Sequence, residues 1–337
     1  MQISKIIKHL SRRWRESLKV AISLFLLAYL FKAIDWRSCM PIAARADLMM
    51  MILAVALLTL ERVLSVVKWR LFLTVKGSTI SFWRLFIINY VGGFWGLILP
   101  SSVSADIVRG FYLSKATSDL KLTVTSMAAD RFISGVSLVF IACLGGWYAG
   151  YQPGLQYLRV LILVIAILTF SAVFLLFQRG FLRWLDRRII QKFGDWKIIQ
   201  IARKWIASCL EYQQYPGLLA KAFLLSLSVQ VVRVLVFYVV ALGFDLHAPL
   251  MYYVVFIPLI MVLIMLPVSF NGIGVREVSF VSFFALAGMP ESGAFVVSFA
   301  VSVLTTLTTA VGGLIYMFDK GPSGLSGNEE CRMKNAE

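Results

Sequence analysis

The feature that most restricts the fold of this chain is a series of apolar runs, each close to the length required to cross a lipid bilayer. A helix needs about 20 consecutive apolar residues to span the hydrocarbon core, and 60% of the 337 residues are hydrophobic. This composition excludes a water-soluble globular domain. It predicts an all-α polytopic integral membrane protein. The bilayer core offers no hydrogen-bond partners to backbone N–H and C=O groups, and an α-helix satisfies these groups internally.

Two of the apolar runs are interrupted by similar polar segments, at residues 99–109 and 266–277. Both segments begin with Leu-Pro, and both have a serine two places and an arginine nine places after the proline. Ionised groups and unpaired backbone are costly in hydrocarbon, so such breaks are tolerated only beside protein or a water-filled cavity. The two breaks are therefore the first candidates for a functional site.

Basic residues beside the apolar runs predict the topology. Residues 1–17 form a basic N-terminus, which the positive-inside rule places in the cytoplasm, and a single transmembrane domain follows at 18–318. We expect two four-element halves, 18–150 and 158–318, in which two spans precede a broken hairpin and a last span. The halves start on opposite sides, an inverted repeat whose site lies where the breaks meet. Re-entrant and fully spanning hairpins both keep the termini cytoplasmic, so this choice stays open.

Two segments are predicted to lie outside the spans. Residues 179–217 interleave basic and aromatic side chains, which is typical of amphipathic helices lying on the anionic lipids of the inner leaflet. A docking site for a partner is the alternative for this loop. Residues 319–337 predict a disordered cytoplasmic tail.

The formal net charge of +16 does not indicate nucleic-acid binding, because the basic residues flank apolar spans and form no compact reading domain. The four cysteines form no CxxC pair and there are only two histidines, so neither a metal site nor a disulfide framework is predicted. Phosphate-loop, HExxH and GxSxG motifs are absent from the sequence. We therefore predict no cofactor, no metal and no catalytic residue.

Nine ionisable residues fall within the predicted membrane depth, and each needs a partner or a polar cavity there. Structural ion pairs are the alternative to function. Structural pairing and function both stay open for Glu61, Arg62 and Arg233, whereas function is favoured for the residues at the breaks. The nine residues are Glu61, Arg62, Asp106, Arg109, Asp130, Arg131, Arg233, Arg276 and Glu277.

The predicted substrate site gathers residues at and near both breaks. Helix N-termini after the breaks, together with Arg109 and Arg276, could hold a phosphate or another anionic headgroup. Asp106, Asp130 or Glu277 could bind an amine or carry a proton. The glycines permit either close approach of a ligand or a tight turn with positive φ. The full set is Asp106, Arg109, Asp130, Arg131, Asn271, Gly272, Gly274, Arg276 and Glu277.

At these residues the chain resembles the transmembrane region of lysylphosphatidylglycerol synthases, the flippase domain of the multiple peptide resistance factor and its stand-alone relatives. The family pattern has Gly-Gly before the aspartate of the first break and Pro-Gly-Gly before the second. This chain has Ser104-Ala105 and Phe270-Asn271-Gly272 there. The matching pieces are the Leu-Pro-Ser of residues 99–101 with Asp106 and Arg109, residues 130–135, and residues 272–277 with Gly288.

The resemblance implies a protein that moves a phospholipid or an isoprenoid-linked lipid with a polar headgroup between leaflets of a bacterial inner membrane. Aminoacylated phosphatidylglycerol is the substrate associated with the best-known members. We expect a non-enzymatic translocator that lacks the aminoacyl-transferring domain. Its expected partners are the transported lipid and anionic inner-leaflet lipids, with a lipid-modifying enzyme or a second copy of the chain as further candidates.

Two other functions remain open at this point. The first is a membrane-embedded glycosyltransferase that uses a polyprenyl-phosphate donor and needs an acidic residue on an external loop. The candidate acids are sparse, at Asp35, Asp47, Asp245 and Glu291. The second is a secondary transporter of a small solute, which would show uptake without a lipid phenotype.

Overall fold

The structure, a computed structural model, describes residues 36–98, 104–149, 211–265 and 275–318, with a few residues outside these ranges, among them Gly272 and Gly274. Every regular element in these ranges is helical, which confirms the all-α prediction. The helices are α1 (Trp36–Ala43), α2 (Leu48–Thr74), α3 (Phe82–Ile98), α4 (Ser104–Thr117), α5 (Leu120–Ala149), α6 (Pro216–Gly243), α7 (Leu250–Met265), α8 (Val275–Leu286) and α9 (Glu291–Phe318).

Four of these helices, α2, α5, α6 and α9, are long and apolar enough to cross a membrane. They lie where the sequence predicts spans, because an apolar run bounded by polar residues determines both ends of such a helix. Asp47 shows how one boundary forms. Its carboxylate accepts hydrogen bonds from the N–H groups of Met49, at 2.7 Å, and Met50, at 3.4 Å, and so caps the N-terminus of α2.

Each predicted break is flanked by two short helices that pack against each other, α3 with α4 and α7 with α8. The second arms, α4 and α8, have 14 and 12 residues. At about 1.5 Å per residue they are about 21 and 18 Å long, which is shorter than the hydrocarbon core of about 30 Å. The inverted relation between the two halves stays a prediction.

Several predicted segments lie outside the described residues. They include the break residues 99–103 and 266–271, the N-terminus 1–17, most of the first span, most of the span predicted at 158–178, and the tail 319–337. The basic loop predicted at 179–217 is described only from residue 211 onward, where a turn leads into α6.

Glycines on α3 and α9 allow the first hairpin to pack closely against its neighbours. A Cβ atom at Gly92 of α3 would overlap the Arg109 side chain of α4, and one at Gly312 of α9 would overlap the Tyr90 carbonyl. Small residues at such contacts are a common means of bringing helices together in membranes. As a result, α3 lies between α4 and α9 with little room for a larger residue.

The second hairpin is held by aromatic rings. Phe280 and Phe284 of α8 stack with ring centroids 4.1 Å apart, and Phe280 also stacks on Phe237 of α6 at 5.5 Å. Tyr253 of α7 lies 4.6 Å from the Phe284 ring. Aromatic pairs of this kind stabilise packing beyond the area that they bury, so α7 and α8 form one unit with α6.

A polar contact at the start of α6 ties three helices together. The Glu211 carboxylate pairs with Lys76 Nζ at 3.0 Å and with Lys121 Nζ at 3.2 Å, while the Tyr212 hydroxyl donates to the Phe72 carbonyl at 3.0 Å. Burial raises the pKa of Glu211, but the hydrogen bonds and charges of the two lysines together outweigh it and lower the pKa below its ordinary value. The ionised carboxylate therefore stabilises the junction.

This lowered pKa gives a pH dependence with a definite sign. A carboxyl whose pKa falls on folding contributes stability above its unfolded pKa, and this contribution disappears as the pH falls through the folded value. We expect the difference in melting temperature between wild type and Glu211→Gln to be constant well above the ordinary glutamate pKa of about 4.3 and to shrink steadily as the pH falls below it. Thermal unfolding in detergent measures it, and a difference that grows on acidification would contradict the ion-pair role.

Candidate functional site

A polar cavity of about 320 Å³ lies between α2, α3, α4, α5, α6 and α9. It is large enough for a small polar group, since ligand pockets start near 300 Å³. Most of its lining comes from helices that are long enough to span the membrane. The lining residues are Leu58, Glu61, Arg62, Ser65, Lys68, Trp69, Asn89, Asp106, Arg109, Met127, Asp130, Arg131, Ser134, Val229, Gln230, Arg233 and Thr305.

Helix α2 supplies the largest share of the lining because its polar residues recur at helical spacing. Glu61, Ser65 and Lys68 are four and three residues apart, so they lie above one another on one face. Arg62 and Trp69, which follow Glu61 and Lys68 in the sequence, lie at the edge of this face and also line the cavity. An otherwise apolar span thus carries one polar stripe, and this stripe faces the cavity.

Asp106 of α4 is the main carboxylate at the first break. Arg131 of α5 donates from one nitrogen, Nη2, to both Asp106 oxygens, at 2.6 and 2.7 Å. Arg109 lies one turn further along α4, with its Nη1 3.7 Å from the same carboxylate. The Asp106 charge is therefore compensated chiefly by Arg131, which leaves Arg109 only weakly paired.

Arg109, which lines the cavity, has further donors besides the one near Asp106. Its Nη2 donates to the Asn89 side-chain oxygen at 3.5 Å, the upper limit for such a bond, and its buried Nε has no hydrogen-bond partner among the described residues. A buried donor without an acceptor is costly. Arg109 thus has a buried donor that could still bind an acceptor.

Lys68 and Asp130 form a second ion pair, between α2 and α5. The two charged atoms are 3.1 Å apart, and the Lys68 side chain is only 3% exposed. Lys68 Nζ also donates to the Ser134 hydroxyl at 2.5 Å, and that hydroxyl donates to the Asp130 carbonyl at 2.7 Å. These contacts link α2 to α5 along one wall of the cavity.

Glu61 and Arg233 form a third pair, between α2 and α6. Arg233 Nε donates to Glu61 Oε1 at 3.0 Å, and Arg233 Nη1 donates to the Gln230 side-chain oxygen at 2.9 Å. The amide of Gln230 in turn donates to the Ser134 carbonyl at 3.4 Å. The two ion pairs of α2 are therefore connected through Gln230 and Ser134.

Arg62 is held differently from the other cations. It donates to the Thr309 hydroxyl of α9, and its guanidinium lies over the Tyr90 ring with the carbon 4.8 Å from the centroid. No carboxylate forms an ion pair with Arg62 among the residues that the structure describes. A cation–π contact and a hydroxyl position this guanidinium without neutralising it.

The structure brings together four of the predicted substrate-site residues, Asp106, Arg109, Asp130 and Arg131, all of which line the polar cavity. Three residues whose role was left open by the sequence line it as well. These residues are Glu61, Arg62 and Arg233. Glu61 and Arg233 form an ion pair and also line the cavity, so structural pairing and a place in the polar cavity do not exclude each other.

The residues predicted at the second break lie apart from the cavity lining. Gly272 and Gly274 have φ of +80° and +85°, so the tight-turn interpretation holds for both glycines. Glu277, which is 3% exposed, accepts hydrogen bonds from the Gly274 N–H and the Ser302 hydroxyl, each at 2.8 Å, and from Arg276 Nε at 3.1 Å. Glu277 thus caps α8. Asn271 lies outside the described residues, and substrate contact by these second-break residues stays a prediction.

Sequence reasoning missed part of the lining. Lys68 is not among the nine ionisable residues expected within the membrane, yet it is buried beside Asp130. The spacing of Glu61, Ser65 and Lys68 on one helical face was the available signal. The same signal was available for Ser134, four residues after Asp130, and for Gln230, three residues before Arg233. Asn89 and Thr305 have no such signal, because each is the single residue that its helix contributes to the lining.

The cavity carries an excess of positive charge. Five cationic side chains line it against three carboxylates, which leaves two formal positive charges. Such a lining attracts an anion, and guanidinium groups suit phosphate oxygens in particular. Within the described ranges, no group of three or more His, Cys, Asp or Glu residues could hold a metal ion.

Comparison with known proteins gives one family match. The family model described as "Lysylphosphatidylglycerol synthase TM region" matches residues 17–313, a range that contains both hairpins and all of the cavity lining. The resemblance noted at the two breaks is thereby confirmed. A search of curated proteins finds no significant match.

Proposed function

The chain belongs to the lysylphosphatidylglycerol synthase transmembrane-region family, and on that premise we propose that it moves a membrane lipid between leaflets while the headgroup passes through the polar cavity. The observation that carries the proposal is the cavity itself, a charged space of about 320 Å³ among helices long enough to span the membrane. Charged side chains at such depth are costly unless they face one another or a polar pathway. A pathway for a polar headgroup explains why these charged side chains are present at that depth.

The excess positive charge favours an anionic headgroup, with phosphate as the chemical group that is bound. Arg109 is only weakly paired and has a buried free donor, and Arg62 is held by a hydroxyl and an aromatic ring. A phosphate oxygen could accept from both guanidinium groups and would offset the charge excess. A cationic lysyl headgroup would add to that excess, so we place a phospholipid or isoprenoid phosphate ahead of an aminoacylated lipid.

The proposal includes the finer topology predicted from the sequence. It places the chain in a bacterial cytoplasmic membrane with both termini inside and with two halves of opposite orientation. It assigns no catalytic residue and no energy source, and the hydrocarbon chains stay in the bilayer while the headgroup crosses. A lipid-modifying enzyme remains the proposed supplier of the substrate.

Translocation in reconstituted vesicles tests the proposal. We expect Arg109→Gln to slow the movement of a fluorescent phosphatidic acid by about tenfold, because a charge-assisted hydrogen bond of about 1.5–3 kcal/mol is lost. Arg62→Gln should act in the same direction. The probe starts in the inner leaflet, and a membrane-impermeant quencher is added outside. The readout is the rate at which fluorescence falls as the probe arrives in the outer leaflet.

Arg70→Gln is the matched control, since it removes the same charge from the exposed surface of the same helix as Arg62. A zwitterionic probe should be moved more slowly than phosphatidic acid by the wild type. If wild type moves neither probe faster than empty vesicles, the transport proposal is wrong. If Arg109→Gln slows both probes equally, the preference for an anionic headgroup is wrong.

A further inference from the structure

A second, apolar groove of about 390 Å³ opens on the outer surface of α4 and α5. Its side chains face outward: Ile107, Phe111 and Val124 are 63%, 52% and 44% exposed. Its two hydroxyl groups are occupied locally, since the Ser114 hydroxyl donates to the Phe111 carbonyl and the Thr123 hydroxyl to the Asp119 carbonyl, and its one carboxylate, that of Asp106, is paired with Arg131. The surface that the groove offers is therefore mainly hydrocarbon.

This groove adjoins the polar cavity. Asp106 and Met127 line both spaces, so no further helix separates one from the other. Arg131, whose side chain is 46% exposed, donates to Asp106 at this point. The Asp106–Arg131 ion pair thus stands at the junction between a charged interior and an apolar surface groove.

We infer that the groove between α4 and α5 binds a hydrocarbon chain of the same lipid whose headgroup occupies the polar cavity. The inference rests on the proposed function and names where the lipid enters from the bilayer. A lipid carries a charged headgroup next to its apolar chains. The polar cavity suits the headgroup, and the adjoining apolar groove suits a chain. Burial of each methylene in an apolar site is favourable by about 0.8 kcal/mol, so a bound chain would add affinity that a free phosphate lacks.

Membrane lipids also cover apolar helix surfaces without preference, so the test must separate a bound chain from bulk contact. The discriminating property is that headgroup and chain belong to one molecule. If so, weakening the headgroup site must empty the groove. Bulk lipid against the same surface would not respond to a change inside the cavity.

Photocrosslinking with a phosphatidic acid that carries a diazirine in the middle of one acyl chain makes this comparison. In vesicles containing the full chain, we expect labelling of residues 107–128 to fall about fivefold in Arg109→Gln, as the affinity of the headgroup falls. Labelling around Val231, an exposed position of α6, should stay the same. Equal labelling of the groove in wild type and Arg109→Gln would overturn the inference, because it would show contact with bulk lipid only.

Filling the groove tests it independently. Val124→Trp should slow translocation of the same phosphatidic acid about fivefold, whereas Val231→Trp should not, and both variants should keep the wild-type melting temperature. The two valines are exposed to similar degrees, 44% and 47%. A wild-type rate in Val124→Trp, with Arg109→Gln still slow, would refute the groove and leave the transport function standing. If Arg109→Gln is also at the wild-type rate, the proposed function fails with it.

Discussion

Lys68→Met is expected to lower the free energy of unfolding by about 3 kcal/mol, a large effect for one substitution. Breaking a buried ion pair from one side typically costs about 3–5 kcal/mol, and the lower end of that range applies here because the Asp130 side chain is 26% exposed. Lys68 is 2% exposed and lies 3.1 Å from Asp130 Oδ1, an oxygen that accepts no hydrogen bond within the described part of the chain. Methionine keeps most of the side-chain volume, so the loss reports the charge.

The double variant Lys68→Met with Asp130→Asn separates charge from packing. Removing both charges should recover most of the stability, because a neutral pair of similar shape has little left to compensate. Unfolding in detergent, followed for wild type, both single variants and the double variant, gives the coupling between the two residues. If the double variant is as unstable as the sum of the single ones, the pair contributes nothing to stability.

Gly92→Ala is expected to impair both stability and transport. The added Cβ would overlap the Arg109 Cγ and lie 3.0 Å from the Ala105 carbonyl oxygen, so α4 must shift away from α3. Overpacking of this kind costs about 1–3 kcal/mol. Because the overlap would displace Arg109, the proposed headgroup ligand, we also expect translocation of phosphatidic acid to fall about tenfold, as in Arg109→Gln.

Gly135→Ala is the matched control, because a Cβ at that position of α5 meets nothing within 4 Å. Alanine is favoured over glycine in a helix by about 1 kcal/mol, so Gly135→Ala should melt at the wild-type temperature or above it and transport normally. The comparison of melting temperature and translocation rate in the two variants isolates the contact with Arg109. Normal transport in Gly92→Ala would show that the position of α4 does not control the headgroup site.

The helices were predictable because their boundaries are local. The apolar run between Asp47 and Val75 becomes α2, and the short helices described on either side of each predicted break lie where the sequence predicts the arms of the two hairpins. The positive φ of Gly272 and Gly274 also follows from residue type, since glycine alone adopts it without strain. Each of these inferences depends on neighbours in the chain and needs no knowledge of packing.

The partners in the cavity were not predictable, because they depend on how the helices pack. Neighbours in the sequence suggest Asp130 with Arg131, but adjacent residues on a helix point about 100° apart. Asp130 instead pairs with Lys68, and Arg131 with Asp106. Glu61 meets Arg233, which is 172 residues away. Lys68 is absent from the predicted set for the same reason, since a charge near the end of an apolar run resembles a membrane boundary unless its buried partner is known.

Helix α9 has contacts that span both hairpins. Ser302 donates to the Glu277 cap of α8, Thr305 lines the polar cavity, and Thr309 accepts from Arg62. These three residues are three and four positions apart, so they lie on one face of a single rigid helix. Binding in the polar cavity and the stability of the Glu277 cap of α8 are consequently subject to reciprocal linkage. If headgroup binding favours one position of α9, it changes the stability of the α8 cap by the same free energy with which the cap changes headgroup affinity.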